Sequence, residues 1–465
     1  MGVSEPGWRA LLAEAWGAVT GADTPPLEPT VDAVPREELP SGLPVADAAV
    51  ACVATALLTG SALAGSVMGG RARSVAVSGG QVAAAVRSER YLRVDGKGLG
   101  EGFAPLSRFW RAADGWVRTH GNYPWHRRAL LTALELDGAD PDPERVAAVV
   151  RELAAGEVER RVVDAGGVAA AMRTPEQWLA HPAGRAVAAR PLVAETRFEP
   201  GRPRRREAGP LPASGVRVLD LTRVIAGPVA TRYLAALGAD VLRLDPPERP
   251  ELPIHRYDGL PGKRSALLDA ATPDGAARLH ELLTDADVLV HGYRPGALDR
   301  FGLNGAELAH RHPGLVVVAL SAWGPDGPWG HRRGFDSIVQ VATGIAARES
   351  PDGERPGALP CQLLDHGTGY LCAAAALDGL RRQAEHGGGV LRELSLARTA
   401  HWLLAQPPAP EPVRPTARAD ADAWLTTVPA DQETITTVAP PGALDGVPLS
   451  WPDRPIRYGA APPRW

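Results

Sequence analysis

A carboxylate set among small residues is the most chemically suggestive feature of this chain. Asp365 stands in Leu363-Leu364-Asp365-His366-Gly367-Thr368-Gly369-Tyr370, between an apolar run and an Ala-rich stretch. The pattern predicts a helix N-terminus, where the exposed N–H groups favour an anion and glycines let a ligand approach closely. Two roles suit such a residue: an aspartate that caps the helix, or a carboxylate turned toward a ligand.

Four upstream segments carry further groups. Asp220-Leu221-Thr222-Arg223-Val224-Ile225-Ala226-Gly227-Pro228 reads as the turn after a strand, with small residues for backbone approach and Arg223 to meet a phosphate. Gly262-Lys263-Arg264-Ser265 sets a cationic pair before a strand. It lacks the spacing of a phosphate-cradling loop, so it is either a side-chain anion site or a solvated loop. His291-Gly292-Tyr293-Arg294-Pro295-Gly296, followed by Arg300, pairs an aromatic ring with guanidinium groups suited to a base and phosphates. Gly324-Pro325-Asp326-Gly327-Pro328 and Arg333-Gly334-Phe335-Asp336 read as a loop entering a helix.

The elements that position these groups are legible from residue 215 onward. Short apolar runs at 216–220, 240–244, 265–268, 288–290 and 315–320 alternate with helical stretches, and Thr272-Pro273 marks one helix start. This predicts an α/β fold, a doubly wound and mostly parallel sheet covered on both faces. Ligands of such sheets sit beyond the carboxyl ends of the strands. Residues 105–195 predict a second, smaller α+β domain, with a hairpin around Asp114-Gly115 and helices at 125–136, 143–154 and 155–165. Residues 196–214, rich in Pro, Arg and Gly, read as a linker that includes the basic run Arg204-Arg205-Arg206. The sheet domain extends over 215–404, and 405–465 is a Pro-rich tail expected to pack back on it, with one strand at 433–438.

Composition narrows the function classes. Apolar content of 45% and charged content of 22% support real cores, and 465 residues imply more than one domain. The net charge of −4, without a dense basic block, argues against a nucleic-acid surface. Cys52, Cys361 and Cys372 have no metal-ligand spacing and predict a reduced, cytoplasmic chain without a metal. The polar start, Met1 to Trp8, does not read as a secretion signal. The uncharged stretch 48–70 is mostly small residues and is read as a buried packing helix rather than a membrane span.

Residues 1–104 hold a faint internal repeat. Leu43-Pro44 and Asp47 lead into an Ala-rich helix, as Leu359-Pro360 and Asp365 do, and Ser74 to Ser78 follows as Leu391 to Ser395 does. Asp47 then reads as a degenerate counterpart, with Val50 and Ala51 where Asp365 is followed by Thr368 and Gly369.

From Gly215 to about Leu404 the order of motifs resembles the family III CoA-transferases, the CaiB/BaiF group, which includes formyl-CoA transferase, carnitine CoA-transferase and alpha-methylacyl-CoA racemase. The resemblance implies that Asp365 is a nucleophile forming an aspartyl anhydride and then an aspartyl-CoA thioester. Backbone N–H groups at Gly367 and Gly369 then serve as oxyanion donors. It implies CoA contacts at Arg223, Val224, Ile225, Ala226, Lys263, Arg264, Tyr293, Arg294, Arg300 and Arg333. CoA enters as a thioester substrate, with no permanently bound cofactor, and the partners are an acyl-CoA and a small carboxylic acid. The family forms interlocked homodimers, so a homodimer and a site completed within one chain are both open.

The chain departs from the pattern. Ile225 and Gly292 stand where the family often has polar residues, and Phe335 stands where the racemase branch has His. Asp114-Gly115-Trp116 and Thr174 to Val193 resemble the family's small domain, but precede the sheet domain instead of following it. The order looks permuted, or like two copies fused with most of one sheet lost. A racemase or isomerase, and a CoA-binding protein without catalysis, remain as alternatives. His366 is a weak substitute for the missing His, since adjacent residues at a helix start point in different directions.

Overall fold

The computed structural model describes residues 7–67, 72–100, 102–136, 142–199, 201–204, 207, 209–409 and 421–465. Arg205 and Arg206 of the basic run lie outside them.

Its centre is a seven-stranded sheet: β1 (Ala194–Arg197), β2 (Arg217–Leu221), β3 (Asp240–Asp245), β4 (Arg264–Leu267), β5 (Val288–His291), β6 (Val316–Ser321) and β7 (Val390–Ser395). The spatial order is β4-β3-β2-β5-β6-β7-β1. The first six are parallel and β1 pairs antiparallel with β7. Val218, Leu219, Val241, Leu242, Val288 to Val290 and Val316 to Val318 are fully buried, as strands covered on both faces require. The order of the parallel strands reverses between β2 and β5, which opens a crevice at their carboxyl ends.

β1 corrects the expected linker, whose first residues belong to an edge strand. Ala-Glu-Thr-Arg offers no apolar run to read, because backbone pairing to β7 rather than side-chain burial holds it.

Five helices pack around one another beside the sheet, α1 (Val45–Val67), α2 (Ala226–Ala236), α3 (Asp336–Thr343), α4 (Leu363–His386) and α5 (Leu396–Leu404), of which α2, α4 and α5 each give a residue to the crevice. α4 runs through the core between α1 and α2, buried on all sides over most of its length. Glycines make that possible: a Cβ on Gly369 would lie 2.5 Å from the Ala226 carbonyl oxygen, and one on Gly379 2.6 Å from Val316 Cγ1. α1 is long and apolar enough to cross a membrane, yet it packs inside the molecule.

The faint repeat takes a physical form. Asp47 and Asp365 are each the third residue of a long helix. Each helix leads to a strand, Val75–Val77 or β7, and then to a helix preceded by a serine, Ser78 or Ser395. Val75–Val77 does not join the large sheet; it pairs with Thr30–Val31 and Ala443–Leu444. Asp47 accepts a two-pronged ion pair from Arg36 at 3.0 and 2.8 Å and the Trp8 N–H at 3.0 Å, a structural carboxylate with its oxygens occupied.

The small lobe has the predicted hairpin, Phe109–Arg111 with Trp116–Thr119, extended by Ala169–Ala171. Its helices cover 124–133, 143–151 and 155–164. The tail differs from a mostly looped segment. Leu425–Ala430 and Glu433–Val438 form a hairpin that pairs with Arg93–Val94 of the N-terminal segment. The large domain is met further on, through the Trp465 indole on the carbonyl of Leu282 in the helix Pro273–Asp285 at 2.9 Å and a bridge from Ala460 to Ala266 of β4.

Candidate active site

The turn after β2 is held by a buried ion pair. Asp220 accepts the Thr222 N–H at 2.9 Å, the Thr231 hydroxyl at 2.6 Å and Lys263 Nζ at 3.0 Å. Lys263 also donates to the Pro228 carbonyl at 3.1 Å, and burial pulls its pKa down to about 8. Its side chain is 0% exposed. Lys263 is therefore a brace between β4, β2 and α2, not a ligand contact. Arg264 is also displaced from the expected role. It stands at the amino end of β4, bonded to Asp240 at 3.1 and 2.7 Å and to the Arg464 carbonyl, at the opposite end of the sheet from the crevice. A cationic pair reads the same in sequence whichever way its backbone carries it.

The next residues enter the crevice. Val224 has φ = 68°, an unusual conformation for a β-branched residue, which costs about 1–3 kcal/mol. Its N–H donates to Glu251 Oε2 at 3.0 Å. Glu251 also accepts from Tyr123 Oη at 2.6 Å, Arg243 at 3.1 Å and Arg223 at 3.4 Å. Burial opposes its ionisation, but Arg243, His255 and Arg223 outweigh that and hold its pKa well below the usual carboxylate range. Glu251 thus ties the strained turn to Tyr123 of the small lobe. Ile225 is buried under the start of α2 and is not among the crevice-lining residues.

Around the switch point lies a cavity of about 260 Å³. Of the predicted positions it gathers Arg223, Val224, Ala226, Tyr293, Arg294, Arg333 and Asp365. A second cavity, of about 620 Å³, shares Tyr293, Arg294 and Arg333 with the first and adds Arg300. Arg249, which lines both cavities, was not read from the sequence. Burial first, then the nearby charges of Arg294 and Arg249, lowers the pKa of Arg333.

The small lobe closes the other side with Tyr123, Trp125 and His126. Tyr123 and Trp125 stack at 4.8 Å, and His126 meets Phe335 edge-on at 5.7 Å. Burial, with Arg333, Arg249 and Arg223 nearby, pulls the His126 pKa down to about 4, so the ring is neutral at pH 7. Sequence reasoning assigned this stretch to a helix; the aromatic cluster around Pro124 was the signal available.

Asp365 lines the cavity at 5% exposure. It does not cap α4: it is the third residue of the helix, after Gln362 at the cap position. The cap is Asp336, the first residue of α3. Its carboxylate accepts the Asp365 N–H at 3.0 Å, the Leu364 N–H and the Gln340 amide. Burial, then the charges of Asp336 and Glu89, push the Asp365 pKa well above the carboxylate range.

The expected oxyanion donors require correction. Gly367 and Gly369 are the fifth and seventh residues of α4, so their N–H groups belong to the i→i−4 ladder. The missing side chain of Gly369 serves packing, since a Cβ would meet Ala226 and Val229, whereas one on Gly367 would make only an ordinary 3.5 Å contact with Cys52 Sγ. Thr368 shares a hydroxyl hydrogen bond with Thr399 at 2.7 Å, joining α4 to α5. His366 is buried against Glu89 at 3.1 Å and does not line the cavity, as adjacent positions on a helix imply.

The chain thus sets a doubly wound α/β domain, an arginine-lined crevice at its switch point and a buried aspartate at a helix start together in one place. Residues 213–422 match the profile of CoA-transferase family III. The chain is 34% identical over 199 residues to an acetyl-coenzyme A transferase of Hypoxylon pulicicidum, covering 42% of this chain and 34% of that protein. It is 30% identical over 246 residues to a probable fatty acyl-CoA transferase of Mycobacterium tuberculosis, covering 47% of this chain and 62% of the other. With a succinyl-CoA–D-citramalate CoA-transferase of Chloroflexus aurantiacus it shares 31% identity, over 40% of this chain and 50% of that one. The crystal structure of the Mycobacterium tuberculosis protein superposes on 42% of this chain and 57% of its own, with a TM-score of 0.40. The chain spans between 34% and 62% of the length of these curated relatives.

Proposed function

We propose that this protein is a CoA-transferase that moves CoA from an acyl-CoA donor to a carboxylic acid. The observation that carries the reading is Asp365 on the wall of an arginine-lined crevice at the switch point of a domain that matches family III. The crevice holds the thioester substrate: the cationic walls take its phosphates and Asp365 meets the acyl group. No permanently bound cofactor enters the scheme.

Asp365, once ionised, attacks the thioester carbonyl; the C–S bond breaks, leaving an acyl–aspartyl anhydride and CoA thiolate. The thiolate attacks the Asp365 carbonyl carbon, and the donor acid departs with one of the aspartate oxygens. The aspartyl-CoA thioester is then attacked by the acceptor carboxylate, giving a second anhydride and thiolate. Attack of the thiolate on the acceptor carbonyl releases acceptor-CoA and regenerates Asp365. Water is kept from these intermediates by the aromatic small-lobe wall.

Within one chain, Tyr123, Trp125 and His126 cover the crevice, which supports a site completed without a second copy. Cys52, Cys361 and Cys372 are all free and buried, which supports a reducing, cytoplasmic setting. Asp365→Ala is expected to abolish CoA transfer while retaining acyl-CoA binding; unchanged turnover in that variant overturns the assignment.

One observation favours a second reading, racemisation at the acyl α-carbon: a neutral imidazole, His126, lines the same cavity as Asp365. Deuterium incorporation at the α-carbon of a 2-methylacyl-CoA without an acceptor acid tests it, and its absence removes this reading.

A further inference from the structure

The small lobe and the sheet domain each hold a crevice wall that the other supplies. Glu159 belongs to the small-lobe helix Ala155–Asp164. Its Oε1 accepts Arg332 Nη1 of the sheet domain at 2.9 Å, 173 residues further along the chain. Its Oε2 accepts the Ala171 N–H and Arg173 Nη1, both at 2.8 Å. Glu251 works in the opposite direction. It lies between β3 and the helix Pro253–Gly259, and its Oε1 takes the hydroxyl of Tyr123, a small-lobe residue, at 2.6 Å. Its Oε2 accepts the Val224 N–H at 3.0 Å and Arg243 at 3.1 Å.

Tyr123, Val224 and Arg332 line the crevice, whereas Glu159 and Glu251 are not among its lining residues. The two carboxylates are only 5% and 4% exposed, so they act on a ligand through the groups they hold. Burial opposes the ionisation of Glu159, but Arg173, the Ala171 N–H and Arg332 outweigh it and hold its pKa below the usual carboxylate value. Glu251 is depressed likewise. Both are charged at neutral pH, and each bond across the boundary is of the strong, charge-assisted kind. Among the described residues, the Arg332 guanidinium hydrogen-bonds only Glu159. Arg333 beside it donates to the Gly166 carbonyl of the small lobe at 3.0 Å. The loop between β6 and α3 is thus fixed from the small lobe at two successive residues. A side chain already held in place has less freedom to lose when a ligand arrives, which favours binding.

We infer that Glu159 and Glu251 are positioning residues for acyl-CoA binding, each preorganising a crevice wall that the other lobe supplies. The inference rests on the CoA-transfer reading for its ligand and names the residues outside the crevice that set the affinity.

Calorimetric binding of acetyl-CoA to the full chain tests it, together with isotope exchange between acetyl-CoA and labelled acetate. Glu159→Gln and Glu251→Gln keep the size and one accepting oxygen but remove the charge. Each is expected to raise Kd for acetyl-CoA by about tenfold, the scale of one charge-assisted hydrogen bond. KM should rise with it, while kcat for exchange stays within about twofold. Two further variants serve if an amide variant does not fold, and both are expected to weaken binding. Tyr123→Phe removes only the hydroxyl that Glu251 holds, and Glu159→Asp keeps the charge but shortens the reach. A Kd within about twofold of the parent at either carboxylate, whatever the melting midpoint does, overturns the inference and leaves CoA transfer standing. No binding of acetyl-CoA to the parent chain overturns the crevice as an acyl-CoA site and the inference with it. Binding without any acyl adduct on Asp365 overturns covalent CoA transfer alone, and the Kd comparison still decides the positioning role.

Discussion

The backbone N–H of Asp365 donates to Asp336 Oδ2 at 3.0 Å, so one buried carboxylate caps the helix whose third residue is the other. Asp336 holds the turn that carries Asp365 and, by its charge, resists the ionisation of Asp365. The Asp365 carboxylate is also opposed by Glu89, which is itself paired with His366. Attack on a thioester requires the ionised form, so kcat/KM is expected to rise as pH climbs through the elevated Asp365 pKa. Asp336→Asn keeps a capping oxygen but removes the charge, and should move that acid limb to lower pH. A limb that does not move would show that Asp336 does not tune Asp365.

The same shift makes a stability prediction. A carboxyl whose pKa is higher folded than unfolded binds protons more tightly in the folded state. Its contribution to stability is therefore lost as pH rises from the unfolded value through the folded one. Asp365→Asn removes that loss. In urea melts the variant should be more stable than the parent at pH 8, and the difference should shrink toward pH 4. A constant difference across that range contradicts the assignment.

Lys263 separates bracing from binding. Lys263→Met leaves Asp220 charged and unpaired in the interior, at a cost of about 3–5 kcal/mol. Lys263→Met with Asp220→Asn should recover part of that cost. In whatever fraction folds, KM for an acyl-CoA should stay within about twofold of the parent. A large KM increase without loss of stability would return Lys263 to the crevice.

Arg249 is expected to behave in the opposite way. It lines both cavities, beside Arg294 and Arg333. Arg249→Ala should raise KM for an acyl-CoA by about tenfold, the scale of one charge-assisted hydrogen bond, with little change in the melting midpoint. KM should also depend less on salt in the variant, because one screened charge is gone. Steady-state kinetics at two ionic strengths check both points.

The parallel strands were legible because full burial on both faces writes continuous apolar runs such as Leu315 to Leu320. β1 was not, since an edge strand is held by backbone pairing and Ala194 to Arg197 needs no apolar side chains. In the site, Asp365, Arg223, Tyr293, Arg294 and Arg333 share one crevice, because turns after parallel strands converge at the switch point. Lys263 and Arg264 show the limit of local reading: the direction of a side chain at the start of a strand depends on Asp220 of β2 and Asp240 of β3, both distant in sequence. Tyr123, Trp125 and His126 come from a different lobe, and Asp336 acts through a backbone contact 29 residues away. Neither relationship leaves a motif in the sequence.

The central claim is covalent catalysis by Asp365. Its most direct test is peptide mass spectrometry after incubating the enzyme with an acyl-CoA and quenching with hydroxylamine. A hydroxamate on Asp365, formed only when acyl-CoA is present and lost in Asp365→Asn, is the predicted result. Turnover of acyl-CoA and acid with no modification at Asp365, or with a modification at another carboxylate, would contradict it.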